Sequence, residues 1–262
     1  MYTTETLQPS YPVVSPQNSS LRLVTANIFN AAAVAIDRHA PWITPDMITL
    51  GTTAMHVECL RRAASAESVR PRLAWTAAAG LCSLGDALDG ALARHKSAKT
   101  GMPLSEHGGN VDLAGDRAQE IAGFLFTAVR AGKHSKTAFL ANVGATLTAP
   151  LPSLARARAE AHGVAVEEFA LGSRAVRAGA AMVGIAGGNR LAAVTGIYAA
   201  VTNSLTAAKR FKATGQGSPH AIGLVGGEVR SKAERRYRLT KKIAWGAGAL
   251  ALGVALSGGR KK

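Results

Sequence analysis

Two stretches organise this chain: GDALDGALAR at residues 85–94 and GGNVDLAGD at residues 108–116. They carry four carboxylates in two closely spaced pairs: Asp86 with Asp89, and Asp112 with Asp116. Residues three or four apart lie on the same face of an α-helix, so each stretch predicts a helix that presents two acidic side chains together. Both stretches adjoin apolar segments, and carboxylates at the ends of membrane-length segments are costly and usually functional.

The carboxylates predict a metal site. Acidic groups brought together repel one another unless a proton or a cation intervenes. Ligation by oxygen alone suits hard divalent ions such as Mg²⁺ or Mn²⁺, and two such ions can clamp a phosphate during its transfer. A solvated helix face is the plain alternative for either pair alone. Gly90 and Arg94 follow Asp86 at intervals of four residues, and apolar segments flank both pairs. The two pairs together therefore favour a site for two ions. Its expected ligands are Asp86, Asp89, Asp112 and Asp116.

The same residues match the signature of a known family. The pattern Asp-x2-Asp-Gly-x2-Ala-Arg, followed after a spacer by Gly-x3-Asp-x3-Asp, resembles that of the CDP-alcohol phosphatidyltransferases. Every fixed position is present: Asp86, Asp89, Gly90, Ala93, Arg94, Gly108, Asp112 and Asp116. The spacer between Arg94 and Gly108 is longer than is usual in the family. It contains Lys96, Lys99, Gly101 and Pro103, so we expect a longer surface loop there.

The resemblance implies an enzyme that transfers the phosphatidyl group of CDP-diacylglycerol to an alcohol and releases CMP. Asp116 is the candidate general base for the attacking hydroxyl. The glycines leave room for close approach of the nucleotide, and Arg94 can make charge-assisted bonds to a phosphate. The expected nucleotide-binding residues are Asp86, Gly90, Ala93, Arg94 and Gly108. The resemblance alone implies a homodimer.

A set of arginines predicts the acceptor. Arg117 follows Asp116, the segment from Arg156 resembles a Lys-Ala-Arg-Ala-Glu segment, and Arg-x-x-Arg recurs at 174–177. All three features resemble phosphatidylinositol-phosphate synthases of the family. Arginine pairs bidentately with phosphate, so we expect a phosphorylated polyol such as inositol phosphate. The residues expected to bind its phosphate are Arg117, Arg156, Arg158, Arg174 and Arg177.

Alternatives to this acceptor stay open at the sequence level. The Arg-Ala-Glu segment also occurs in relatives that use glycerol phosphate, so a phosphatidylglycerophosphate synthase is the second interpretation. The arginines could equally bind anionic lipid headgroups. A remote third interpretation is a lipid-binding membrane protein without catalysis, against which the intact signature argues.

Composition agrees with a membrane protein. The 262 residues carry a net charge of +15, and 47% of them are hydrophobic. A basic chain can bind nucleic acid or face anionic lipid. Only 5% of residues are aromatic, and neither an RNP-like motif nor zinc-finger spacing occurs, so no nucleic-acid partner is expected. Cys59 and Cys82 form no CxxC pair and are expected as free thiols.

The apolar segments predict an all-α integral membrane bundle, and the family resemblance implies about six transmembrane helices. Several of the segments are shorter or less apolar than a lone lipid-facing helix needs, but their small residues suit close packing between helices. We expect a disordered tail at 1–20, the membrane domain of the transferase family at 21–215, and a basic C-terminal tail at 216–262. That last tail has an apolar stretch at 243–256 that could be a further helix. An amphipathic interfacial helix is expected near 21–36, where apolar residues recur at helical spacing. The predicted spans are 45–60, 73–93, 111–131, 137–154, 176–188 and 191–208.

Two local signals refine this arrangement. Thr44-Pro45-Asp46-Met47-Ile48-Thr49 opens the first span, with Thr44 as the expected cap. It resembles the Thr-Pro-Asn-x-Ile-Thr opening of the family, with Asp46 in place of Asn. Lys and Arg occur on both sides of the predicted bundle, so the positive-inside rule is weak here. CDP-linked substrates are cytoplasmic, so we expect a multi-pass protein of the plasma membrane with its carboxylates at the cytoplasmic face.

Overall fold

The computed structural model describes residues 20–104, 106–161 and 173–216. Within these ranges every regular element is an α-helix, which confirms the all-α fold class. The helices are α1 (Ser20–His39), α2 (Pro45–Ser65), α3 (Val69–Cys82), α4 (Gly85–Thr100), α5 (Glu106–Ala131), α6 (Lys136–Thr148), α7 (Leu151–Ala161), α8 (Arg174–Ala186) and α9 (Asn189–Gln216). The tails predicted at 1–20 and 216–262 lie, apart from Ser20 and Gln216, outside the described residues.

Helix α2 is the centre of the half of the fold that carries the site. Thr44 caps it as predicted, because its hydroxyl accepts a hydrogen bond of 3.2 Å from the backbone N–H of Met47. Pro45 occupies the first turn, where its missing N–H is not needed. Helices α3, α4 and α5 all pack against α2. Helix α2 therefore lies against all three helices whose side chains form the site described below.

The span predicted at 73–93 is two helices. Helix α3 ends at Cys82 and α4 begins at Gly85. Helix α3 packs against α2 and α8, whereas α4 packs against α1 and α2. The break thus separates two packing environments, and it places Asp86 and Asp89 in the first turns of α4 instead of at the end of one long helix.

The longer spacer is mostly helical, so the surface loop predicted there was wrong for residues 95–100. Helix α4 continues to Thr100 and ends at Gly101, whose φ of +68° is the left-handed conformation that favours glycine at a helix C-terminus. The lysines that suggested a loop make tertiary contacts. Lys96 Nζ donates to the carbonyl oxygens of Pro41 at 2.8 Å and Ile43 at 2.7 Å, which fixes α4 beside the end of α1.

An acidic side chain on α1 contacts two further basic residues of α4. Lys99 Nζ lies 2.7 Å from Asp37 Oδ2, and His95 Nε2 lies 3.3 Å from the same oxygen. The hydrogen bond from the Lys99 ammonium holds the pKa of Asp37 below its ordinary value, and His95 adds to this. Because this pKa is lowered, the contact stabilises the fold at neutral pH and is lost only as the pH falls through the lowered value.

Among the residues that the structure describes, two helical segments are long and apolar enough to cross a membrane: Lys136–Ala159 and Asn189–Thr214. The first comprises α6 and most of α7, which are separated by Ala149 and Pro150. Asn142 Nδ2 joins it to α9 by donating to the carbonyl oxygen of Ala192 at 2.8 Å. A β-carbon at Gly196 would lie 2.9 Å from the backbone of Ala141, so glycine is what lets the two helices approach. The predicted count of six spans stays a prediction.

Candidate metal centre and adjoining cavity

Three of the predicted metal ligands come together. Asp86 and Asp89 project from the first turns of α4, and Asp112 projects from the second turn of α5. One carboxylate oxygen of each lies within 4.8 Å of the others, close enough for all three to bind one metal ion. Asp89 is only 6% exposed, while the other two are half-buried. The two signature stretches, whose helices both pack on α2, therefore form one acidic group.

The donor set fits a hard divalent cation. Asp112 Oδ1 is buried and has no hydrogen-bond partner among the described residues. A buried polar atom without a partner costs free energy, and the neighbouring carboxylates add like-charge repulsion. A cation bound between these oxygens would remove both costs at once. Oxygen ligands of this kind suit Mg²⁺ or Mn²⁺ and do not distinguish between them.

Asp116 lies one turn further along α5 and faces an adjoining cavity. The cavity has a volume of about 440 Å³ and lies between α2, α5, α8 and the junction of α3 with α4. Its polar lining includes His56, Ser83, Asp86, Asp116, Gln119 and Glu120. Leu60, Ala181 and Met182 contribute apolar lining. Asp116 is not one of the three residues whose oxygens cluster, but it shares the cavity with Asp86, so a bound molecule could contact both.

Sequence reasoning missed a polar stripe on α2. Thr49, Thr52, Thr53 and His56 recur at helical spacing along one side of this helix. The Thr49 hydroxyl donates a hydrogen bond to Asp89 Oδ2, and Gln119 Nε2 donates to Thr53 Oγ1 at 3.2 Å. His56 Nδ1 lies 2.8 Å from the carbonyl oxygen of Ala79. The i, i+3, i+4, i+7 recurrence of polar residues in an apolar segment was the available signal.

Thr49 allows a direct test of how Asp89 is held. Thr49→Val removes the hydroxyl and keeps the shape, so Asp89 loses a donor that orients its carboxylate. Mutations of such outer partners typically cost about 10–100-fold in metal affinity or activity. We expect Thr49→Val to weaken Mn²⁺ binding by about that factor, measured by titration of the purified protein. Thr49→Ser, which keeps the hydroxyl, should bind Mn²⁺ nearly as well as the unmutated chain. Equal binding in all three proteins would contradict this role.

The residues predicted to bind the nucleotide lie on α4 and at the start of α5, and one of them, Asp86, belongs to the acidic group. Gly90 and Arg94 are one turn apart on α4, and a β-carbon at Gly90 would lie 3.2 Å from Arg94 Nη1. Arg94 is exposed, and Ala93 beside it is half-buried. A β-carbon at Gly108 would lie 3.2 Å from Asp46 Oδ1. Both glycines therefore sit where a side chain would crowd a polar neighbour.

The predicted acceptor arginines separate into two groups. Arg117 and Arg177 are buried and contact the same carboxylate, that of Glu120. Arg156 and Arg158 are exposed on α7, and the Arg158 guanidinium stacks over the Phe211 ring at 5.6 Å. The Arg174 side chain lies outside the described part of the structure. Sequence reasoning missed Glu120, although its position one turn after Asp116 was a signal.

Comparisons with known proteins add no assignment. No protein-family model matches the chain, and no curated protein is significantly similar to it in sequence. The resemblance to the CDP-alcohol phosphatidyltransferases thus rests on the signature residues themselves.

Proposed function

We propose that this chain is a metal-dependent membrane phosphotransferase of the CDP-alcohol phosphatidyltransferase type. It would transfer the phosphatidyl group of CDP-diacylglycerol to an alcohol and release CMP. The observation that carries this proposal is the convergence of Asp86, Asp89 and Asp112 within 4.8 Å beside a cavity that Asp116 lines. Acidic clusters that bind divalent cations next to a cavity suit the transfer of a negatively charged phosphoryl group.

Each residue has a distinct role in this proposal. Asp86, Asp89 and Asp112 would hold divalent cations, Mg²⁺ or Mn²⁺, and Asp116 would help to hold a second ion. The bound ions would neutralise the pyrophosphate and the charge on departing CMP. Asp116 accepts the proton of the attacking hydroxyl as a new oxygen–phosphorus bond forms and the bond to CMP breaks. The residues proposed to bind the nucleotide are Asp86, Gly90, Ala93, Arg94 and Gly108.

The proposed acceptor is a phosphorylated polyol such as inositol phosphate. Arg117 and Arg177 are buried and contact Glu120, which lines the cavity. Guanidinium groups pair with phosphate in two-point contacts, and this chemistry supports an anionic acceptor. Arg156, Arg158 and Arg174 are proposed as further contacts on the basis of the family resemblance. Glycerol phosphate is the alternative acceptor.

The proposal includes a setting at the plasma membrane, with six spans, the site at the cytoplasmic face, and a homodimer. It is supported by the two segments long and apolar enough to cross a membrane. Helix α9 also exposes an apolar row, each member about half accessible: Leu191, Val194, Ile197, Val201 and Leu205. Such a row is expected where a helix faces lipid.

Release of CMP tests the proposal. Purified protein in lipid nanodiscs should release CMP from CDP-diacylglycerol only when Mg²⁺ or Mn²⁺ and an acceptor are present, and EDTA should stop the reaction. Among inositol phosphate, inositol, glycerol phosphate and serine, we expect inositol phosphate to give the highest kcat/KM. A preference for glycerol phosphate would favour the alternative acceptor. If no CMP is released with any acceptor, with or without metal, and the protein binds tightly to anionic vesicles, a lipid-binding protein would be favoured instead.

A further inference from the structure

Two arginines without an acidic partner lie at the end of the bundle away from the acidic group. Arg72, in the first turns of α3, is 8% exposed, and its Nε is buried without a hydrogen-bond partner among the described residues. Arg130, in the last turn of α5, is partly buried. Its Nη1 donates to the carbonyl oxygens of Ile185 at 3.1 Å and Gly187 at 2.8 Å. Within the described residues, neither guanidinium forms an ion pair with a carboxylate. We call Arg72 and Arg130 the far arginine pair.

The far arginine pair lies at one end of a single core cluster. Arg72 and Ala79 share the buried face of α3, and Ala79 packs in the core with Ile185. Arg130 lies one turn beyond Phe126, which packs against the same cluster, and it binds the carbonyl oxygen of Ile185. The positive charge of Arg72 acts on Arg130. Both guanidiniums therefore belong to the region where α3 and α5 pack against α8.

The arrangement is costly for the protein alone. A buried charge without a counter-charge loses its hydration, and two neighbouring positive charges repel each other. Each guanidinium carries five N–H donors, and Nη1 of Arg130 is the nitrogen of the pair that bonds to described residues. A phosphate group beside both arginines would supply negative charge and several acceptor oxygens, which guanidiniums bind in two-point contacts.

The far arginine pair and the acidic group are separated by about the thickness of a membrane. Helix α5 rises by about 27 Å between Asp112 and Arg130. The hydrocarbon core of a bilayer is about 30 Å thick. In the membrane setting proposed above, the far arginine pair therefore lies at the level of the headgroups in the leaflet opposite the acidic group.

The same end of the bundle has an excess of positive charge. Its described helix ends and connections carry two acidic residues, Glu58 and Glu67, and six further basic residues, Arg61, Arg62, Arg70, Lys133, Lys136 and Arg190. Such an excess attracts anions and repels the ammonium group of a zwitterionic lipid such as phosphatidylcholine. A net negative headgroup is therefore the favoured ligand.

Exposed apolar side chains beside both arginines favour a lipid over a free anion. Val69 and Leu73 on α3 are 55% and 50% exposed, and Val129 on α5 is 46% exposed. Val129 and Leu73 are direct chain neighbours of Arg130 and Arg72. Acyl chains attached to a bound phosphate would cover these side chains, which inorganic phosphate cannot do.

We propose that the far arginine pair binds the phosphate group of an anionic phospholipid from the leaflet opposite the acidic group. This inference rests on the proposed membrane setting and is independent of the proposed reaction. The competing explanation is that Arg72 only fills space between α3, α5 and α8. That explanation predicts the same loss of stability in Arg72 variants whether or not lipid is present.

Thermal unfolding distinguishes a lipid site from an arginine that only packs. Arg72→Met keeps roughly the length of the side chain and removes its charge. In nonionic detergent with EDTA and without phospholipid, the variant should unfold at a temperature no lower than the unmutated full chain, because an unpaired buried charge is gone. Added phosphatidylglycerol should then raise the midpoint of the unmutated chain more than that of the variant. A midpoint lowered equally in Arg72→Met with and without phosphatidylglycerol would overturn the proposal.

Titration identifies the anion and its source. Short-chain phosphatidylglycerol, short-chain phosphatidylcholine and inorganic phosphate are titrated into the full chain by calorimetry, in the same detergent with EDTA. We expect the tightest binding for phosphatidylglycerol, and binding about ten- to one hundred-fold weaker in Arg72→Met, as for loss of a charge-assisted contact. Equal binding of phosphatidylglycerol by both proteins would refute the site. Inorganic phosphate that binds as tightly, with the same dependence on Arg72, would overturn the lipid and leave a site for free phosphate.

A more conservative variant covers the case in which Arg72→Met does not fold. Arg72→Lys keeps the charge and loses the two-point geometry of the guanidinium. It should bind phosphatidylglycerol about three- to tenfold more weakly than the unmutated chain. An affinity equal to that of the unmutated chain would count against the site.

The matched control is an exposed arginine at the start of the same helix. Arg70→Met removes the same charge two residues from Arg72, at a side chain that is exposed to solvent. Exposed charges contribute little, so this variant should bind phosphatidylglycerol within about threefold of the unmutated chain. Equal losses in Arg70→Met and Arg72→Met would indicate general attraction to a basic surface and would overturn a specific site.

Release of CMP, measured on the same proteins, keeps the two proposals separate. Phosphatidylglycerol binding that depends on Arg72, in a protein that releases no CMP with any acceptor, would refute the reaction and support the lipid site. Metal-dependent CMP release, with phosphatidylglycerol binding that is indifferent to Arg72, would refute the lipid site and support the reaction.

Discussion

Replacing Asp89 with Asn is expected to abolish phosphatidyl transfer, lowering its rate by at least about a hundredfold. Asn has nearly the same shape as Asp but lacks the negative charge, and one of its two oxygens is replaced by an amide group that cannot bind a cation. Loss of an outer partner of a metal ligand typically costs about 10–100-fold, so loss of a ligand should cost more. The rate is measured as metal-dependent release of CMP. Asp112→Asn should behave in the same way.

Thermal unfolding separates loss of the site from loss of the fold. In EDTA the clustered carboxylates repel one another, so Asp89→Asn should not lower the midpoint of unfolding. In Mg²⁺ the unmutated protein should gain stability from the bound ion, and the variant should gain less. Glu58→Gln, which removes an exposed carboxylate, should leave both the rate and the response to Mg²⁺ unchanged. A fully active Asp89→Asn protein would refute the metal centre.

Local patterns were sufficient to place the acidic residues on helices. The spacing of Asp86 with Asp89, and of Asp112 with Asp116, correctly placed each pair on a helix. Thr44 before a proline predicted where α2 begins. These signals work because capping and helical periodicity depend on residues within one or two turns.

Contacts between distant residues account for what the sequence did not predict. The hydrogen bond from Thr49 to Asp89 joins residues 40 positions apart, and the ion pair of Arg177 with Glu120 joins residues 57 positions apart. The end of α4 was misjudged for the same reason. A lysine such as Lys96 is typical of a surface loop. Here its ammonium group binds the carbonyl oxygens of Pro41 and Ile43, more than 50 positions away, and this contact is not evident from the local sequence.

Glycine at position 85 lets the start of α4 lie close against α2, and it leads to the second large expected effect. A β-carbon at Gly85 would lie 2.6 Å from Thr52 Cβ on α2. The Thr52 Cβ is fixed by its backbone, so rotation of the Thr52 side chain cannot relieve this contact. Helices α2 and α4 would have to separate by about 1 Å to restore an ordinary distance between carbon atoms. Asp86 and Asp89 would move with α4, away from Asp112.

Gly85→Ala is therefore expected to impair both stability and activity. Overpacking of this kind typically costs about 1–3 kcal/mol of folding free energy, and a displacement of about 1 Å at a reacting group can cost about a hundredfold in rate. Gly51→Ala on α2 is the matched control, because nothing lies within 4 Å of a β-carbon at that position. It should keep full activity and gain up to about 1 kcal/mol from the better helix propensity of alanine. Apparent unfolding midpoints, Mn²⁺ binding and CMP release are compared for the two variants. If Gly85→Ala matches Gly51→Ala in all three measurements, the close approach of α2 and α4 is not what positions the carboxylates.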